Sequence, residues 1–161
     1  MKKLLFFSAV VLCLTHHSLG QQLGIPFRDA EQHGIIVKNL ESIYKSAVHV
    51  DTSLAVFKTD NERDTLLQEY KKLLLDFGKF LGKNNFEWDK PTRCFNRIYF
   101  NYDGTIDYFL FNFLGTTEAK PTEEKQKEFQ RLLNLFIKDY KFPVTAEIKF
   151  AQCGRMTFMP E

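Results

Sequence analysis

The chain has 161 residues, 44% of them apolar, 26% charged and 15% aromatic, with five prolines and eight glycines. That composition excludes a disordered or collagen-like chain, and the length fits one globular domain. Seventeen phenylalanines supply a core, and a net charge of +2 is far from the basic excess of a nucleic-acid-binding protein.

Met1, Lys2 and Lys3 form a basic start, Leu4 to Leu14 is an apolar run, and Thr15 to Gly20 is polar with small residues, Ser18 and Gly20, near its end. This three-part form predicts a secretory signal peptide over residues 1–20. The rival reading is a membrane anchor, but the apolar run reaches only ~16 Å as a helix, about half of a hydrocarbon core. Leu12, just before Cys13, does not suit lipoprotein processing, which favours small residues there. Cleavage after Gly20 removes Lys2 and Lys3 and with them the whole net charge, so neither nucleic acid nor an anionic membrane is an expected partner. The expected protein is exported, periplasmic or secreted, with no membrane span after the leader.

Beyond the leader, residues 21–88 read as a helical segment and residues 89–161 as a hairpin, helix and strand module, the two making one compact domain over 21–161. Ile36, Leu40, Ile43, Tyr44 and Ala47 form an apolar stripe within Asp29 to Val48, which predicts the first helix, with Gly34 weakening its start. Asp60 is the expected cap of a second helix, whose stripe is Leu66, Leu67, Tyr70, Leu73, Leu74, Phe77 and Leu81, and Gly82 with Asn84-Asn85 is its stop.

Cys94 to Asn101 and Thr105 to Leu114 are rich in aromatic and β-branched residues, with Asp103-Gly104 between them: a β-hairpin. A three-residue loop with a left-handed Gly104 pairs Asn101 with Thr105. It sorts Ile98, Phe100, Ile106, Tyr108 and Leu110 onto one face, with Arg97 and Asp107 together on the other. Thr122 caps a third helix with Glu123 and Glu124 in its first turn, and its stripe runs from Phe129 to Tyr140. After Pro143, Val144 to Phe150 alternates as a final strand, which Gly154 and Met156 to Phe158 either extend or follow with another edge strand. The expected fold is α+β: two N-terminal helices packed with a three-stranded antiparallel sheet that carries the third helix.

The hairpin run Ile98 to Ile106 around Asp103-Gly104, the helix, and the Phe142-Pro143-Val144 step into a last strand ending at Phe150 resemble the C-terminal domain of TonB-type energy transducers. The likeness covers residues 96–160. It implies an edge strand that accepts an extended peptide by backbone hydrogen bonding. The chain departs from that family in having a short leader and a helical segment where the family keeps a membrane helix and a Pro-rich spacer. The leader, with Gln21-Gln22 at the expected mature start, is similar to those of small exported proteins of the Bacteroidetes.

Cys94 and Cys153 are the even pair left after the leader, which in an oxidising compartment predicts a disulfide worth ~4 kcal/mol by loop closure. Two buried free thiols are the alternative. Catalytic signatures are absent: there is no GxSxG, HExxH, P-loop or Rossmann pattern. Only His33 and His49 follow the leader, neither at ligand spacing from a cysteine, so no metal or cofactor is implied. His49 with Asp51 and Ser53 reads better as a capped turn than as a triad. The expectation is a non-catalytic protein that binds a protein or peptide partner at a sheet edge, with Val144, Glu147 and Ile148 on the candidate edge strand. Arg97, Tyr99, Asp107, Phe109 and Phe111 are the candidate binding face of the hairpin, exposed unless the N-terminal helices cover it. The alternative is a small apolar-ligand carrier with Tyr99, Phe109 and Phe111 lining its pocket.

Overall fold

The computed structural model describes residues 22–160; the expected leader, Cys13 and Gln21 lie outside them. In chain order the elements are β1 (Leu23–Pro26), α1 (Val37–Ile43), β2 (Lys45–Ser46), α2 (Asp60–Lys83), β3 (Thr92–Phe100), β4 (Ile106–Phe113), α3 (Glu123–Asp139) and β5 (Phe150–Phe158), with short 3-10 turns between several of them. The strands make one five-stranded sheet in the order β1-β4-β3-β5-β2. β3 is antiparallel to both β4 and β5, while β1 is parallel to β4 and β2 parallel to β5.

The two long helices form where their apolar stripes predict. Thr59, rather than Asp60, caps α2, and a reciprocal capping box with Glu62 satisfies the first orphan N–H groups. Thr122 caps α3 as expected, accepting from the Lys125 N–H, and Glu123 and Glu124 face the positive end of the helix dipole. The stripes Leu66 to Leu81 and Phe129 to Ile137 are buried together against one face of the sheet, where Phe129 sits among the rings of Phe77, Trp88, Phe111, Phe113 and Phe158. A smaller cluster covers part of the opposite face, built from Ile25, Ala30, Ile35, Leu40 and Tyr44 over Tyr99, Leu110 and Ala151. The sheet is therefore the middle of three layers.

This corrects the expected architecture of two N-terminal helices packed with a three-stranded antiparallel sheet that carries the third helix: among the described residues three α-helices accompany a five-stranded sheet of mixed parallel and antiparallel pairing. The stretch Asp29 to Val48 is α-helical only over Val37–Ile43, because Gly34 takes a left-handed φ of 73° after a single 3-10 turn and Lys45 leaves the helix to pair with Phe150. The added strands are too short to show a period in sequence, and their partners are remote in the chain. The strand expected over Val144 to Phe150 is also displaced: the chain stays irregular until Phe150, and the strand runs on to Phe158. Val144 and Ala146 pack on the core from that irregular segment, which satisfies their apolar alternation without a ladder.

The hairpin turn forms as the three-residue loop, with Gly104 at φ 82° and the Asn101 N–H donating to the Thr105 carbonyl at 2.8 Å. Its face assignment does not hold. Phe100 pairs with Ile106 but Tyr99 pairs with Tyr108, so Asp107 is the extra residue of a β-bulge. One inserted residue inverts everything after it. Phe109, Phe111 and Phe113 thus join Ile98 and Phe100 beneath the long helices, while Tyr108 and Leu110 move to the face of Arg97 and Tyr99.

The expected Cys94–Cys153 bridge is not formed, and both thiols are free. Cys94 pairs with Met156, and Cys153 with Arg97, three residues further along β3. That offset is ~10 Å along a strand and puts the side chains on opposite faces, beyond disulfide reach.

Candidate functional site

The two edges of the sheet are finished differently. At the β1 edge, the Gly24 N–H donates to Asn134 Oδ1 at 2.9 Å and the Asn134 amide donates back to the Gly24 carbonyl at 2.8 Å. Gln22 reaches the Ile137 carbonyl beside it, and Pro26 has no N–H to offer. A helix side chain thus occupies the groups that another strand would need, one of the recognised ways to blunt an edge.

The opposite edge is open. β5 pairs with β3 along all nine of its residues, but β2 covers only Phe150 and Ala151. The Lys45 and Ala47 N–H groups donate to the Lys149 and Ala151 carbonyls at 3.0 and 2.9 Å. The alternation of a ladder then turns the N–H and C=O groups of Cys153, Arg155 and Thr157 outward as well. The Gln152 side chain donates to the Cys153 carbonyl at 2.9 Å; no other strand or side chain among the described residues pairs with this stretch. Cys153, Arg155 and Thr157 are exposed on the face away from α2. On the α2 side, Gly154 admits the Tyr70 ring, whose hydroxyl donates to buried Asn96; a Cβ on Gly154 would lie 2.9 Å from that ring. Burial raises the Tyr70 hydroxyl pKa, so it remains a donor. Next to the open edge, a groove of about 290 Å³ runs between α2 and the end of β5, lined by Leu74, Leu75, Gly78, Trp88, Met156 and Met159 among others.

The residues singled out from sequence do not assemble into one site. Arg97 pairs with Glu41 at 3.0 Å and lies over the Tyr99 ring, not beside Asp107. Tyr99 is fully buried, with burial raising its pKa, and Phe109 and Phe111 are core residues at 1% exposure each. Glu147 and Ile148 are exposed in the irregular segment, where they help line a cleft of about 530 Å³ together with Leu54 to Lys58. Asp107 is buried at the bulge, where Tyr44 Oη donates to it at 2.7 Å and Lys149 Nζ at 2.9 Å. Burial, then the carboxylate next to it, raises the Tyr44 pKa. Tyr44 keeps its proton, and Asp107 accepts from Tyr44, Lys149 and, at 3.5 Å, the Asn101 amide, which suits a structural clasp better than a general base.

Among the described residues, no helix is long and apolar enough to cross a membrane, and no three His, Cys, Asp or Glu side chains gather as a metal site would require. Comparison with protein-family models, with curated proteins and with solved structures found no match. Sequence reasoning took Cys153 only as half of a disulfide and did not single out Arg155 or Thr157, because Gly154 interrupts the alternation of Phe150 to Phe158, whereas Val144 to Lys149 alternates without a break. The available signal was the second alternating run, ending on Phe158.

Proposed function

We propose that this is an exported, non-catalytic binding protein that takes an extended segment of a partner polypeptide along the outer edge of β5, from Gln152 to Phe158. One observation carries the reading: among the described residues no strand pairs with that edge beyond Ala151, where only the Gln152 amide reaches the Cys153 carbonyl, while the β1 edge is sealed by Asn134. Backbone pairing would supply affinity and the flanking surfaces selectivity, as in strand addition generally. The basic, apolar and polar thirds of residues 1–20 support export to the periplasm or the exterior. The likeness of residues 96–160 to TonB-type C-terminal domains supports the same mode of binding. The carrier reading is weaker, since Tyr99 is packed in the core on one face of the sheet and Phe109 and Phe111 in the core on the other, so the three line no common pocket.

Thr157→Pro tests the reading, because it deletes an outward N–H and leaves the β3 ladder intact. Peptides selected on the purified protein from a random library should bind the variant at least tenfold more weakly at an unchanged far-UV spectrum. Hydrogen exchange at Cys153, Arg155 and Thr157 in the wild type should slow when such a peptide is bound. Equal binding by both proteins, with no protection of those amides, would overturn the proposal.

A further inference from the structure

Two surfaces flank the open edge, and they differ in chemistry. On the face away from α2, Arg155 stands opposite Phe95, with Arg93 opposite Thr157 and Arg97 opposite Cys153. Arg93 and Arg97 are therefore the two diagonal neighbours of Arg155, ~7–8 Å away in an antiparallel ladder. Arg97 has Glu41 as a partner. Among the described residues no carboxylate lies within 4.0 Å of Arg93 or Arg155, and both are exposed. The edge thus carries an unneutralised guanidinium, with a second one strand further in. On the α2 side the same edge borders the apolar groove of Leu74, Leu75, Met156 and Met159, where a Cβ on Gly78 would meet nothing within 4 Å.

A strand laid beside β5 sends alternate side chains to these two surfaces, because successive residues of a strand face opposite ways. Resting on the strand-addition reading above, we infer that the partner is a peptide segment alternating acidic and apolar residues. Its carboxylates lie over Arg155 and Arg93 and its apolar side chains enter the groove against α2. The charge arrangement also disfavours a second copy of this chain as the occupant. Antiparallel pairing of two β5 edges about a two-fold axis at residues 154–156, the middle of the open stretch, sets Arg155 opposite or diagonal to its own counterpart, a like-charge juxtaposition.

Three labelled heptapeptides with blocked ends test this against the purified protein by fluorescence anisotropy: valine alternating with glutamate, valine alternating with lysine, and the first composition with its glutamates contiguous. The alternating glutamate peptide should bind at least tenfold more tightly than either of the others. Arg155→Glu should reverse the order of the two alternating peptides, a gain of lysine-peptide binding that a misfolded protein could not show. Equal binding of both alternating peptides, each lost in Thr157→Pro, would overturn the acidic preference while leaving edge pairing standing. Equal binding of the alternating and contiguous glutamate peptides, unaffected by Thr157→Pro, would overturn both readings in favour of simple charge attraction. Binding of none of the three, with a dimer on sedimentation that Thr157→Pro dissolves, would make a second copy the occupant and overturn the inference.

Discussion

Gly104 and Phe142 are joined backbone to backbone: the Phe142 N–H donates to the Gly104 carbonyl at 2.9 Å, and a Cβ on Gly104 would overlap the Phe142 carbonyl oxygen. The tip of the hairpin is thereby fastened to the point where the chain leaves α3, with a Thr105–Lys141 bridge alongside. Gly104 is constrained twice, by its left-handed φ of 82° and by this approach. Gly104→Ala should lose about 2–4 kcal/mol in urea unfolding, the range of a strained backbone plus a displaced contact. A loss under 1 kcal/mol would show that the fastening is loose.

The same junction predicts an acid limb. Lys141, and then the Thr105 N–H and hydroxyl, hold the Asp103 carboxyl down at about 2. A depressed folded-state value contributes stability above the unfolded value of about 4, and that contribution is lost as pH falls from about 4 through 2. Asp103 is half-exposed, so solvent screening limits the gain to about 1 kcal/mol. Unfolding midpoints of wild type and Asp103→Asn should differ at pH 6 and converge near pH 2.

Thiol chemistry separates the two cysteines. Burial pushes the Cys94 thiol up to about 12 and shields it, while Cys153 is exposed. Titration of the chain from Gln21 onward, which lacks Cys13, with a disulfide reagent at pH 8 should find one reactive thiol in the folded protein and two in unfolded, unreduced protein. None in the unfolded, unreduced protein would mean that the pair is bridged.

The Asp107 clasp should show strong coupling. Asp107→Ala leaves Lys149 and the Tyr44 hydroxyl without their acceptor and should cost about 2–3 kcal/mol. Adding Lys149→Met should recover at least about 1 kcal/mol of that loss in a double-mutant cycle. Strict additivity in equilibrium unfolding would mean the two side chains act separately.

The elements legible in sequence were those whose signal is local. The stripes of α2 and α3 and the Asp103-Gly104 turn each depend on residues within a few positions, and each formed. β1 and β2 depend on pairing with strands more than eighty residues away, and four- and two-residue segments carry no period of their own. The bulge at Asp107 is the costliest blind spot. A single unpaired residue reversed the faces of Tyr108, Phe109 and Phe111, turning a proposed binding surface into core. The open edge of β5 was invisible for the opposite reason: an edge is defined by what fails to pair with it, and no property of Arg155 or Thr157 alone announces that.

The sheet order has a consequence for how the chain is made. β4 takes β1 as its outer neighbour and β5 takes β2, so the earliest strands to leave the ribosome wait for partners among the last. Leu23 must wait for Tyr108, and Lys45 for Phe150. Only β3, β4, α3 and β5 lie together in the chain, and they can associate as they emerge. During that interval both flanks of the nascent three-stranded core are uncovered, and the N-terminal residues later cover Tyr108 to Phe111 on one flank and only Phe150 and Ala151 on the other.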